Sequence, residues 1–151
     1  MNVNAPDHSV SLTIGNAIAE LEKIVTFVDR FGLDQQLSRT IVVHVNVCLD
    51  ELLNNTISYG YDDQQRHEII VTLRRTDDWL TVEIKDDGRA FDPTAAAVTI
   101  PRAIIQARKA GGLGIHFVRT LMDEVDYRRE GRLNVLRLKK KIEEETGDGN
   151  G

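Results

Sequence analysis

Trp79-Leu80-Thr81-Val82-Glu83-Ile84-Lys85-Asp86 runs directly into Asp87-Gly88-Arg89-Ala90-Phe91. Leu80, Val82 and Ile84 fall on one parity, the period-two alternation of a half-buried strand. Asp86 continues that parity, which turns a carboxylate toward the apolar side. Burying a carboxylate without a partner costs on the order of several kcal/mol. Something must therefore hydrogen-bond it: the exocyclic amine of a bound base is one candidate, and a cap on the turn at Gly88 is the other. Asn134 repeats the pattern near the C-terminus, sharing parity with Leu136 and Leu138.

Working upstream, residues 67–75 place Ile69, Val71 and Leu73 together, and Thr76-Asp77-Asp78 is turn chemistry. The two runs predict an antiparallel hairpin. Before it, Leu37, Ile41, Val45, Cys48 and Leu52 follow helical spacing, which predicts a helix from Asp34 or Ser38 to Tyr59-Gly60. An earlier stripe, Ala17, Ile18, Leu21, Ile24, Val25 and Val28, predicts another, stopped at Gly32. A short strand, residues 8–14, precedes it. Downstream, residues 92–110 read as a long loop, a length that within a compact domain points to function or disorder. Residues 113–123 predict a third helix, and residues 125–129 and 133–139 a second hairpin turning at Glu130-Gly131. The expected fold is α+β: a two-layer sandwich with a mixed, mostly antiparallel sheet covered on one face by three helices.

The chain has 151 residues, 41% hydrophobic, with a net charge of -5. That size fits one domain with a sizeable core. The acidic balance, without a basic stripe, argues against nucleic acid as a direct partner. The N-terminus lacks the regions of a secretion signal, and no apolar run approaches the ~18 residues of a membrane span. A soluble cytoplasmic protein is expected. Cys48 is the single cysteine; it reads as a small core residue, with no disulfide framework to join.

Two further segments carry chemistry. In Asp50-Glu51-Leu52-Leu53-Asn54-Asn55, Glu51 and Asn55 are four apart and share a helix face. An amide oxygen there can ligate Mg²⁺ while the carboxylate faces an attacking oxygen; a solvated polar face is the plainer reading. Asn54, three residues from Glu51, lies close to the same face. Gly111-Gly112-Leu113-Gly114 opens a helix whose free N–H groups attract phosphate. Arg102, Arg108 and Lys109 precede it, either as phosphate contacts or as solvated loop cations.

Together these segments resemble the Bergerat-fold (GHKL) ATPases and, within them, the bacterial anti-sigma factor serine/threonine kinases. Glu51-x-x-x-Asn55 matches the N box, Asp86-x-Gly88-x-Ala90-Phe91 the first glycine box and Gly112-Leu113-Gly114 the second. Met122-Asp123-Glu124-Val125 and residues 131–138 fit the stretch that follows. The resemblance covers residues 8–142, leaving residues 1–7 as a flexible start and 143–151 as a disordered tail. It implies ATP and Mg²⁺ as cofactors. Asp86 would bind the adenine amine, Gly88 would admit the base, Asn55 would hold Mg²⁺, and Glu51 would be the general base. Ala90, Gly112, Leu113, Gly114 and Asn134 complete the implied nucleotide site, with residues 92–111 as a lid.

Three positions depart from the pattern: Ala90 replaces the second glycine of the first box, Tyr59 stands where relatives often have His, and Asn134 where many have Thr. The implied activity is phosphorylation of an anti-sigma factor antagonist combined with sequestration of a sigma factor. A homodimer is a further implication, since relatives commonly dimerise. The alternatives are a non-catalytic, nucleotide-gated binding module and, less favoured without a coupling domain, ATP hydrolysis within a larger assembly.

Overall fold

Alternating apolar residues build the sheet, and its register explains what the two hairpins position. The computed structural model describes residues 8–94 and 114–142. Five strands form: β1 (His8–Gly15), β2 (Glu68–Arg75), β3 (Trp79–Asp86), β4 (Glu124–Glu130) and β5 (Leu133–Lys141). Their order is β1-β2-β3-β5-β4, and every neighbouring pair is antiparallel. The sheet expected to be mixed is thus antiparallel throughout the described residues. Both hairpins form, and the second turns through Gly131 at φ 59°, a conformation suited to glycine.

One parity of each inner strand faces the helices. Ile69, Val71 and Leu73 on β2 and Leu80, Val82 and Ile84 on β3 are all buried. Leu136 and Leu138 continue that face on β5. The cross-strand register aligns Ile14 with Ile69, Ile69 with Asp86, Asp86 with Asn134 and Asn134 with Arg129. One row across the sheet therefore passes from apolar to polar at Asp86, and the two polar residues flagged separately by parity are direct neighbours.

Three α-helices lie against this face: α1 (Leu21–Asp34), α2 (Arg39–Tyr59) and α3 (Gly114–Leu121). A 3₁₀ turn, Ile18–Glu20, leads into α1. Ser38 caps α2, its Oγ accepting from the Ile41 N–H, as its residue type favours. Cys48 is fully buried in α2, and burial pushes its thiol up to about 12, in keeping with a core residue. Helix α3 ends at Leu121, two residues before the expected point, and Lys140 Nζ donates to the Leu121 carbonyl at 2.6 Å.

Gly32 is not the stop that its residue type suggested. The helix continues through Asp34 with Gly32 buried inside it, and Gln36 takes the left-handed conformation at φ 56° beyond the end. Gly32 serves packing: a Cβ there would stand 2.5 Å from Val42 Cγ2 on α2. Gly32→Ala should therefore destabilise by about 1–3 kcal/mol through overpacking, against a helix-propensity gain of about 1 kcal/mol. Urea unfolding checks this, and adding Val42→Ala should return part of the loss. A Gly32→Ala protein more stable than the wild type would refute the close packing.

Residues 1–7, 95–113 and 143–151 lie outside the described residues. The expectations of a flexible start, a disordered tail, most of a lid over 92–111 and phosphate contacts from Gly112, Leu113, Arg102, Arg108 and Lys109 fall there.

Candidate functional site

The polar end of the cross-sheet row opens into a cavity of about 310 Å³ between the C-terminal half of α2 and the ends of β3, β4 and β5. Leu52, Ile84 and Leu136 give it apolar walls, and Asp86, Asn134 and Asn55 are its predicted polar members. A pocket of this kind, apolar with few convergent polar groups, is the usual form of a small-molecule site.

Asp86 is 6% exposed. Its Oδ1 accepts from the Gly88 N–H and from Asn134 Nδ2, each at 2.9 Å. Oδ2 takes no hydrogen bond among the described residues. Burial pushes the carboxyl above its ordinary value, while the bonds from Asn134 and Gly88 pull the other way; Asp87 adds to the rise and Arg129 opposes it. The cap at Gly88 and a ligand-facing carboxylate were alternatives in the sequence. The geometry accommodates both, one on each oxygen.

Asn134 organises this corner. Its Nδ2 reaches the Asp86 carboxylate and the Arg89 carbonyl at 3.0 Å. Its Oδ1 accepts from Tyr127 Oη at 2.5 Å and from Arg129 Nη1 at 3.0 Å. With both ends of the amide engaged by the protein, Asn134 acts here as a positioning residue that holds Asp86 and the turn after β3. Arg129 Nη1 also donates to the Gly88 carbonyl at 3.0 Å.

Gly88 permits a close approach by the protein's own backbone. A Cβ at 88 would meet the Gly60 carbonyl at 2.8 Å and Asp86 Oδ1 at 3.0 Å. The Arg89 N–H donates to that same Gly60 carbonyl at 2.7 Å. Gly88 thus fastens the end of α2 to the turn that carries Asp86. Ala90 is exposed and lies outside the left-handed region, so alanine imposes no backbone strain where the family pattern has glycine.

On α2, Asn54 and Asn55 have different surroundings. Asn54 Nδ2 turns back to the Asp50 carbonyl at 2.7 Å, and Asn55 lines the cavity. Glu51 is half-buried one turn before Asn55 and outside the cavity lining. Asp50 is exposed. Tyr59 also lines the cavity, and Gly114 begins α3.

Sequence reasoning missed Tyr61, His67, Asp87, Tyr127 and Arg129. The last two could have been read from the turn at Gly131, which fixes the β4–β5 register and hence sets Arg129 opposite Asn134. The others lie in or beside an irregular connection without periodicity. His67 is clasped from both sides, Nε2 by Asp63 at 2.7 Å and Nδ1 by Asp87 at 3.1 Å. Only an imidazolium donates from both nitrogens.

The hydrogen bond to Asp63 raises the His67 pKa, with Asp87 assisting, and lowers that of Asp63. The clasp's contribution from His67 is complete below the unfolded histidine value, ~6.5, and is lost as pH rises through the raised folded value. That from Asp63 is present above the unfolded aspartate value and lost as pH falls through the lowered one. The melting temperature of His67→Gln should therefore lag the wild type most in mildly acidic solution and converge with it in alkaline solution. A constant gap across pH 5 to 9 would contradict the clasp.

Similarity to known proteins accords with this geometry. The family model of the histidine kinase-like ATPase domain matches residues 15–140. Serine/threonine-protein kinase BtrW of Bordetella bronchiseptica is 29% identical over 112 residues, 74% of this chain and 79% of that protein. Serine-protein kinase RsbW of Bacillus velezensis is 26% identical over 99 residues, 63% of this chain and 62% of that protein. RsbW of Bacillus subtilis is 24% identical with the same coverage. Among solved structures, a chain of the SiaB–SiaC complex from Pseudomonas aeruginosa shares the fold. Its TM-score is 0.55 at 16% identity, over 87% of this chain and 89% of that one. With the glycine-box carboxylate buried in its cavity and a family match spanning nearly all of the described residues, the chain belongs to the histidine kinase-like ATPase domain family.

Proposed function

We propose that this chain is an ATP-dependent protein serine/threonine kinase of the anti-sigma regulatory type. It phosphorylates a protein antagonist and sequesters a sigma factor or a similar partner, acting in the cytoplasm on transcription. The observation that carries the nucleotide reading is Asp86: a buried carboxylate with one oxygen tied down and the other left for a ligand, in an apolar cavity. The names of the similar kinases support the reaction class.

The residues present fit the nucleotide and its metal. Asp86 Oδ2 suits an amine donor, and Leu52, Ile84 and Leu136 suit the faces of a base. Among the described residues no three His, Cys, Asp or Glu side chains converge on a metal site. A cation here would rely on the Asn55 amide, with phosphates and water as its other ligands, a set that suits Mg²⁺. Mg²⁺, when bound, supplies neutralisation of phosphate charge.

The chain's own contribution is positioning and proton transfer. Asp86 orients the base, and Gly112, Leu113 and Gly114 are the phosphate contacts that the resemblance implies. Glu51 accepts the proton of the substrate serine or threonine hydroxyl. The hydroxyl oxygen bonds to the γ-phosphorus as the bond to the β,γ-bridging oxygen breaks, and ADP leaves with that electron pair.

The test is transfer of labelled γ-phosphate from Mg-ATP to a cognate antagonist. Stoichiometric labelling on serine or threonine is expected. Saturable nucleotide binding with no transfer to any antagonist that forms a complex would replace the kinase by the non-catalytic, nucleotide-gated module.

A further inference from the structure

Arg128 and Arg129 follow each other on β4, and strand alternation parts them. Arg128 lies on the side of the sheet away from the helices and pairs with Glu130. Arg129 falls on the other side, opposite Asn134 in the register. Arg129 is exposed, yet its hydrogen bonds among the described residues go to carbonyl oxygens. Nε donates to Gly131 at 3.2 Å, and Nη1 donates to the Gly88 carbonyl and to Asn134 Oδ1, each at 3.0 Å. A cation that only trimmed the β4–β5 turn would need the first of these bonds alone. The other two reach past β5 to the segment after β3, where Asp86 stands.

The donors and acceptors around Asn134 admit one arrangement of its amide. A guanidinium only donates, and an ionised carboxylate only accepts. Oδ1 takes bonds from Arg129 Nη1, from Tyr127 Oη at 2.5 Å and from the Phe91 N–H at 3.4 Å. Nδ2 gives to Asp86 Oδ1 and to the Arg89 carbonyl. Turned over, the amide would set its NH₂ against the guanidinium and its oxygen against the carboxylate. Tyr127 does not enforce the choice, because a hydroxyl both donates and accepts. Arg129 enforces it from the end of the amide remote from Asp86. A threonine, which many relatives have at this place, could serve Asp86 with its one hydroxyl; an amide has a second end that needs a partner. The guanidinium also favours the ionised form of Asp86, against burial and the neighbouring Asp87. Tyr61, which lines the same cavity, is a further titratable group within the field of Asp86.

Resting on the nucleotide reading of this cavity, we propose that Arg129 is a positioning residue. By holding Asn134 Oδ1 and the Gly88 carbonyl, its guanidinium aims Asn134 Nδ2 at Asp86 Oδ1 and leaves Oδ2 for the ligand. The experiment is calorimetric titration of Mg-ATP into the wild type, Arg129→Met, Asn134→Thr and the double variant. Thermal melting and NMR titration of the Asp86 carboxyl accompany it on the ligand-free proteins. Arg129→Met should bind Mg-ATP roughly 3- to 10-fold more weakly than the wild type. In the Asn134→Thr background the same change should cost less than about twofold, because the amide it held is gone. The Asp86 midpoint should lie higher in Arg129→Met than in the wild type. Equal losses of affinity in the two backgrounds overturn the assignment and leave the nucleotide site standing. So does wild-type affinity in an Arg129→Met protein that melts lower, which would make Arg129 a stabiliser of the turn only. A wild type that binds no Mg-ATP removes the nucleotide reading. The Asp86 midpoint, read without ligand, then decides the role of Arg129 by itself: a rise in Arg129→Met supports it, and an unmoved midpoint overturns it.

Discussion

Asp86→Asn should lose nucleotide binding while folding as well as the wild type or better. Both internal donors, the Gly88 N–H and Asn134 Nδ2, use Oδ1. In the variant the amide oxygen takes that place, which turns the NH₂ toward the cavity. There it meets the amine of the base, donor against donor. The loss of a charge-assisted hydrogen bond and the opposed donors together amount to about 2–4 kcal/mol, roughly 30- to 700-fold in affinity. Stability moves the other way. Because burial raises the folded pKa of Asp86, this group favours the folded state below the unfolded carboxyl value. That contribution is lost as pH rises through the folded value. At neutral pH the charged carboxylate opposes folding, and the neutral amide removes that term. Thermal melting reads both effects: Mg-ATP should raise the wild-type melting temperature and leave Asp86→Asn unmoved, while the ligand-free variant melts no lower. A Mg-ATP shift of equal size in both proteins would exclude Asp86 from the site.

Glu51→Gln should separate binding from chemistry. The amide keeps the shape of the side chain and cannot accept the hydroxyl proton, so phosphoryl transfer should fall by about 10²- to 10⁴-fold. Glu51 is half-buried on the face of α2 that carries Asn55 and outside the cavity lining. Mg-ATP affinity should therefore stay within a few-fold of the wild type. Single-turnover transfer of γ-phosphate measures the first effect and equilibrium titration the second. Full transfer by Glu51→Gln would remove the general-base assignment. A parallel collapse of binding would place Glu51 in the nucleotide contacts.

The sheet was legible because its residues alternate. Period-two burial on β2, β3 and β5 exposes the two polar interruptions, Asp86 and Asn134, as anomalies in single strands. The register then makes them one hydrogen-bonded pair. Helix α2 was legible for a similar reason, from its apolar stripe and the cap at Ser38. The stop of α1 was not, because Gly32 obeys a tertiary demand from Val42 and a glutamine at 36 takes the left-handed turn. Glycine identity alone does not separate a stop from a close helix crossing. Gly88 also has a packing role that its residue type does not announce: a Cβ there would meet the Gly60 carbonyl. Tyr61 and His67 left no sequence signal, since the residues joining α2 to β2 have no period. Their roles arise only when the connection folds back beside Asp86.

Calorimetric titration of Mg-ATP into the wild-type chain tests most directly whether the cavity holding Asp86 is a nucleotide site. Saturable binding of one nucleotide per chain is the predicted result. A flat titration up to millimolar Mg-ATP, from protein that melts cooperatively, would contradict it.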